Sequence, residues 1–189
     1  MAIPKVLAAF LSEQKVKYTT KKHPVAYTAQ EIAAAQHVPG AQLAKSVLIK
    51  TTDGFALAVL PATQRVDFKK LQALLKVKKV SIASEGDIKR LFPDMEVGAM
   101  PPFGTLYQVP TIVEKGLSAC SDIVCNAGSH TETMTLKYAD VARLVKPKVG
   151  VFGLAFEGEQ PKKKKPAKKS GSKTTPQSKL KSKPKKKKK

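Results

Sequence analysis

Lys45 heads an otherwise apolar row, Ala44-Lys45-Ser46-Val47-Leu48-Ile49. In a strand successive side chains alternate faces, so Lys45, Val47 and Ile49 share one face, opposite Ser46 and Leu48. A cation in such a row is costly unless its stem snorkels to water or an anion meets it. Two readings stand: a strand-end lysine reaching solvent, or a fixed ammonium aimed at a phosphate or carbonyl oxygen. A Ser46–Lys45 nucleophile pair is disfavoured, because neighbouring strand residues point apart.

The second chemical stretch is Val97-Gly98-Ala99-Met100-Pro101-Pro102-Phe103-Gly104. Glycine reaches backbone conformations closed to other residues and lets a ligand approach its N–H. The two prolines fix φ and keep Met100 and Pro101 out of helical geometry. A loop this apolar and stiff is the wall or lid of a small pocket, or else a buried connector between a helix and a strand.

Third comes Asn126-Ala127-Gly128-Ser129-His130, expected as a small-residue turn after an apolar strand, where folds display polar groups. His130 in such a turn either orients a substrate and relays a proton near neutral pH, or is an ordinary loop histidine. Cys125 is a strand residue without an activating neighbour, which makes a Cys125–His130 thiol dyad weak. His23, before Pro24, is structural on this reading. Three histidines without ligand spacing argue against a metal. No cofactor is expected, since the chain has no phosphate-binding glycine loop, dinucleotide fingerprint or H-E-x-x-H pair.

The elements that must position these residues follow from period and punctuation. Residues 4–14 place Val6, Leu7, Phe10 and Leu11 at helical spacing behind Pro4. A short strand is expected over 16–20. Thr28 with Glu31 is a capping box for a helix to about Gln36. Residues 44–50 and 55–60 flank Asp53-Gly54, a strong hairpin signal. Asp67 caps a helix whose Phe68, Leu71, Leu74 and Leu75 share a face. A strand over 79–83, a helix from Ser84 to Phe92, strands at 111–114, 122–126 and 133–136, and a helix over 138–145 complete the pattern. Helices and strands interleave without regular βαβ units, which favours a mixed, largely antiparallel sheet with helices packed on it.

Composition splits the chain in two. Residues 161–189 hold 15 of the 35 basic residues and no acid, so the rest carries about +6 of the net +21. The lysine-rich end cannot bury enough apolar surface to offset its ordering entropy and is expected to be disordered. The start leads into an amphipathic helix rather than a secretory signal. No apolar run has bilayer-spanning length. Two cysteines, Cys120 and Cys125, fit no disulfide framework, and a reducing cytoplasm is the expected compartment.

In their order, Ala44-Lys45-Ser46-Val47-Leu48, Leu60-Pro61-Ala62 with Arg65-Val66-Asp67, Ala83-Ser84-Glu85, residues 98–104 and residues 126–130 resemble the YbaK-type domain. These are aminoacyl-tRNA deacylases related to the editing domain inserted in bacterial prolyl-tRNA synthetases. The resemblance covers about residues 1–152. It implies an α/β (α+β) fold with a mixed, largely antiparallel, barrel-like sheet and surrounding helices. The expected division is a deacylase domain over 1–155 and a tail over 156–189.

What the resemblance implies is a trans-editing hydrolase that cuts the ester joining a wrong amino acid to tRNA. Its invariant lysine maps onto Lys45, its G-x-x-x-P loop onto Gly98 and Pro102, and its Asn/His turn onto Asn126, Gly128 and His130. Lys45, Gly98 and His130 are then the catalytic candidates. Ala99, Met100, Pro101, Pro102, Phe103, Asn126 and Gly128 are the substrate-binding ones. An activated ester needs only positioned water and oxyanion stabilisation, so no covalent intermediate is expected. A small amino acid such as alanine or serine suits the apolar loop.

Partners follow the same line: mischarged tRNA as substrate, non-specific nucleic acid through the lysine tail, a synthetase, and no membrane. The competing readings are a tRNA-binding or regulatory protein without catalysis, and a small-ester hydrolase using Ser46 or Cys125.

Overall fold

The computed structural model describes residues 3–156. In chain order these form α1 (Lys5–Glu13), β1 (Tyr18–Lys22), α2 (Ala29–Gln36), β2 (Leu43–Thr51), β3 (Gly54–Pro61), β4 (Gln64–Val66), α3 (Phe68–Leu75), β5 (Val80–Ile82) and α4 (Glu85–Leu91). After a 3-10 turn (Gly104–Tyr107) come β6 (Thr111–Glu114), a one-turn α5 (Lys115–Ser118), β7 (Asp122–Ser129), β8 (Glu132–Lys137), α6 (Tyr138–Val145), β9 (Lys148–Gly150) and β10 (Gly153–Ala155).

Local chemistry sets the boundaries. Thr28 and Glu31 close a reciprocal capping box at the start of α2, and Ser84 with Asp87 does the same for α4. The Asp67 carboxylate accepts the N–H groups of Lys69 and Lys70 at 3.1 and 3.2 Å, starting α3. Gly54 turns the β2–β3 hairpin at φ +130°, a conformation rare for other residues.

The main sheet is mixed, in the order β1-β8-β7-β2-β3-β6-β9, with β5 also paired to β2. β2 runs antiparallel to β3 over its full length, Ala44 opposite Pro61 and Thr51 opposite Gly54. Its other edge is shared. β7 pairs in parallel only with Leu43 and Ala44, while β5 pairs only from Ile49 to Thr51. Among the described residues, the stretch from Lys45 to Val47 therefore has no strand beside it on that edge. The carbonyls of Gln42 and Leu48, which accept the N–H groups of Val124 and Ala83, both point to this side. Alternation places the N–H and C=O of Ser46 on the same edge, facing the gap.

Two cores sandwich the sheet. Ala44 and Leu48 pack with Leu7 and Leu11 of α1, Ile88 of α4, Met100 and Phe103 on one face. Ile49, Ala58 and Leu60 pack with Leu71 of α3 and Phe152 on the other. Burying a leucine such as Leu7 or Leu11, both at 0% exposure, stabilises by roughly 1.5–3 kcal/mol. A third cluster seats Ile32 and Ala33 of α2 against Leu43, Ala62 and Val124.

Two features differ from expectation. Residues 126–129 are not a turn: β7 continues to Ser129, with a register break between Asn126 and Ser129 and Gly128 at φ +98°. The bulge, not a loop, aims these side chains. The three-residue β4 and β10, which pair with each other, are too short to show a hydrophobic period. Except for Phe156, the expected tail over 156–189 lies outside the described residues. Among those described, no helix is long and apolar enough to cross a membrane.

Candidate active site

A cavity of about 260 Å³ opens at the gap beside β2. Lys45 and Ser46 line it from the strand, Gly98 and Met100 from the loop, Asn126 from β7 and Tyr27 from the approach to α2. Pleating puts Lys45 and Ser46 on opposite faces of the sheet. Both still reach one cavity, because the missing neighbour strand leaves the edge of β2 open to it. Lys45 is not walled off from Gly98.

Lys45 is half-buried, and desolvation holds its ammonium below the ordinary lysine value. Among the described residues no carboxylate lies within ion-pair distance of it. Its neighbour is instead the ring of Phe156, whose centroid is 5.0 Å from Nζ.

Gly98 takes φ +89°, and a Cβ there would meet only His130, 3.6 Å away at Cε1. Backbone conformation, more than crowding, calls for glycine. Among the described residues the Gly98 N–H donates to no backbone carbonyl. The loop is stitched to the β7 bulge: Glu96 N–H to Gly128 O at 2.9 Å, Gly128 N–H to Ala99 O at 3.2 Å. His130 adds a third tie, its Nε2 2.9 Å from the Val97 carbonyl. A carbonyl only accepts, so Nε2 carries the proton and donates. His130 thus stands behind Gly98 and under Tyr27, whose ring centroid is 4.9 Å from its own.

Among the described residues, two buried oxygens of cavity-lining side chains, Ser46 Oγ and Asn126 Oδ1, have no hydrogen-bond partner. Buried polar side-chain atoms are normally satisfied, so each of these two carries an unmet desolvation cost.

The remaining loop candidates support the site from outside the cavity lining. Ala99, Pro101, Pro102 and Phe103 are buried, and Phe103 packs edge-on against Phe10 with centroids 5.9 Å apart. Gly128 lies in a separate groove with Pro4 and Met95. Cys125 is fully buried, and burial pushes its thiol up, which leaves no thiolate for a nucleophilic role. Tyr27 and Phe156 were not signalled by the sequence: the first precedes a capping box, and the second falls where composition turns basic.

Comparison with known proteins shows the family. The aminoacyl-tRNA editing domain model matches residues 23–144. The chain belongs to that family. The editing domain resembles the prolyl-tRNA editing protein ProX of Acetoanaerobium sticklandii, 27% identical over 158 residues, 80% of this chain and 96% of that one. It resembles the multifunctional Ser/Thr-tRNA deacylase ProXp-y of Escherichia coli K12, 24% identical, with 77% and 90% coverage. A solved structure assigned as a candidate trans-editing enzyme for prolyl-tRNA synthetase superposes with a TM-score of 0.71 at 18% identity, over 82% of this chain and 99% of that one. At that identity the likeness is one of fold.

Proposed function

We propose that this editing domain is a trans-editing hydrolase, deacylating tRNA that carries a small non-cognate amino acid. The observation that carries the reading is the company in one cavity: an unpaired ammonium, a glycine N–H without a backbone acceptor, and two orphan oxygens. In this reading Lys45 takes the phosphate of the terminal adenosine or steadies charge developing on the ester. The Gly98 N–H meets the amino-acid carbonyl, where a preorganised donor lowers the barrier to attack by water. Ser46 Oγ and Asn126 Oδ1 accept from the α-ammonium. Tyr27, 74% exposed at the rim, offers a face for stacking the terminal base. His130 holds Val97 and so the loop.

Among the described residues no side chain here is set up as a covalent nucleophile: burial keeps the Cys125 thiol protonated, and the Ser46 hydroxyl has no hydrogen-bonded base. The attacking group is water, helped by the adjacent ribose hydroxyl. A cavity of about 260 Å³ falls below the roughly 300–1,000 Å³ of drug-sized sites, which suits alanine or serine better than a large residue. The working place of such an enzyme is the cytoplasm, beside a synthetase.

A panel of tRNAs, each mischarged with one amino acid, tests this by release of the amino acid under single-turnover conditions. Hydrolysis confined to small residues supports the reading. Tight binding of charged tRNA with no release would support the non-catalytic alternative.

A further inference from the structure

The last described residues are pinned at several points. Phe152 is fully buried, and the buried carboxylate of Glu114 accepts the N–H groups of Phe152 at 2.6 Å and Gly153 at 2.7 Å. The Phe152 carbonyl accepts the Asp67 N–H at 2.8 Å. β10 then pairs with β4, Gly153 opposite Val66 and Ala155 opposite Gln64. A Cβ at Gly153 would meet the Gln64 side chain, which would have to move aside, so β10 lies close against β4 here. Finally the Phe156 N–H meets the Thr63 carbonyl at 3.4 Å. Thr63 follows Ala62, whose N–H bonds Leu43 at the head of β2. This chain of ties sets the Phe156 ring 5.0 Å from the Lys45 ammonium.

We propose that Phe156 is a positioning residue for Lys45, its ring holding the ammonium beside the cavity before substrate arrives. The proposal rests on the functional reading above. Lysine has a long, rotamer-rich stem, and fixing it during binding costs affinity. A carboxylate could fix it, but would also neutralise the charge and occupy its donors. An aromatic face attracts a cation within about 6 Å of its centroid and does neither. The ammonium is thereby placed while its N–H donors stay free for a phosphate or carbonyl oxygen. β10, Glu114 and Gly153 are the frame that delivers the ring.

The test uses the full chain with F156L, F156W and a series of fluorinated phenylalanines at 156. Fluorination drains the ring face while nearly preserving its shape. F156L is expected to lower kcat/KM for the best mischarged tRNA by about threefold to tenfold, within the range of a partly desolvated cation–π contact. F156W should stay near the parent, and activity should fall stepwise with fluorine count. In the free protein, Lys45 ε-methylene protons should show an upfield ring-current shift that F156L abolishes. Wild-type activity in F156L, indifference to fluorine, or absence of the shift would each overturn the proposal. If the parent deacylates no aminoacyl-tRNA, the functional reading fails by itself. The ring-current shift, read without tRNA, then sustains or overturns the Lys45–Phe156 contact.

Discussion

The carboxylate of Glu96 accepts the backbone N–H of His130 at 2.7 Å, tying the Gly98 loop to the end of the β7 bulge. The His130 ring returns a bond to Val97, so the two residues clamp the loop from both sides. Removing the carboxylate with Glu96→Ala loses a charge-assisted bond worth roughly 1.5–3 kcal/mol. At about 2–4 °C per kcal/mol for a chain of this size, Tm should fall by about 3–12 °C. His130→Ala keeps the backbone bond to Glu96 but loses the ring's bond to Val97 and its packing against Tyr27. It should cost kcat more than Tm. Thermal unfolding beside single-turnover rates separates the two, and an unchanged kcat in His130→Ala would remove the histidine from the site.

Lys45→Met keeps the stem and deletes the charge. Deacylation should fall by roughly 10²–10³-fold, the loss typical of a transition-state charge partner, with the fold intact. Its pH signature has a definite sign. Burial lowers the folded-state value of Lys45 below the 10.5 of an ordinary lysine. Between the two values the unfolded chain binds more protons, so stability rises with pH across that window. Chemical denaturation as pH rises toward 10.5 should show the parent gaining stability relative to Lys45→Met. A flat difference would mean that Lys45 is solvated as an ordinary surface lysine.

Much of this was legible in the chain, and what was not has physical causes. The Thr28 and Asp67 caps, the Asp53-Gly54 hairpin and strand β6 are local signals, and local signals survive without tertiary context. The open edge of β2 is not local: it exists because β7 leaves after Ala44 and β5 arrives only at Ile49. Alternation correctly set Lys45 opposite Ser46, yet it could not show that one cavity reaches both. The Asn126–His130 stretch looked like a turn because small residues and glycine serve bulges and turns alike. Phe156 has one aromatic ring next to a lysine-rich run, and nothing in its neighbours' period points to Lys45.

Gly98→Ala separates backbone strain from packing. A methyl there would touch only His130 at an ordinary 3.6 Å, so the cost is that of holding φ +89° with a Cβ, about 1–2 kcal/mol. If the loop relaxes instead, the N–H turns away from the ester carbonyl. The expected result is a small fall in Tm and a much larger fall in kcat, with KM little changed. A rise in KM, with kcat/KM falling to match and kcat unchanged, would place Gly98 in binding alone.

Ser46→Ala should show the opposite pattern in stability. Its hydroxyl is buried and without a protein partner, so replacing it removes an unmet desolvation cost; Tm should hold or rise. Activity on free aminoacyl-tRNA should fall, because the α-ammonium loses an acceptor. Activity on N-acetylated substrate, which carries no ammonium, should be weak in the parent and unaffected by the substitution. Equal losses on both substrates would show that Ser46 does not read the amine.

Phe156 also decides where the basic segment begins. Five residues separate it from Lys162, the first of fifteen lysines. Even fully extended, that stretch spans only about 20 Å. If the basic segment serves the editing site, its lysines should contact phosphates of a bound tRNA. Each phosphate they contact should contribute about −0.7 to −0.9 to the slope of log affinity against log salt. Deleting 161–189 leaves β10 and Phe156 in place, so the chemical step should keep its rate at saturating tRNA. Apparent KM should rise at low salt, and its dependence on salt should flatten. If KM at low salt is the same with and without these residues, the segment does not serve the editing site, and the affinity for tRNA resides in the domain alone.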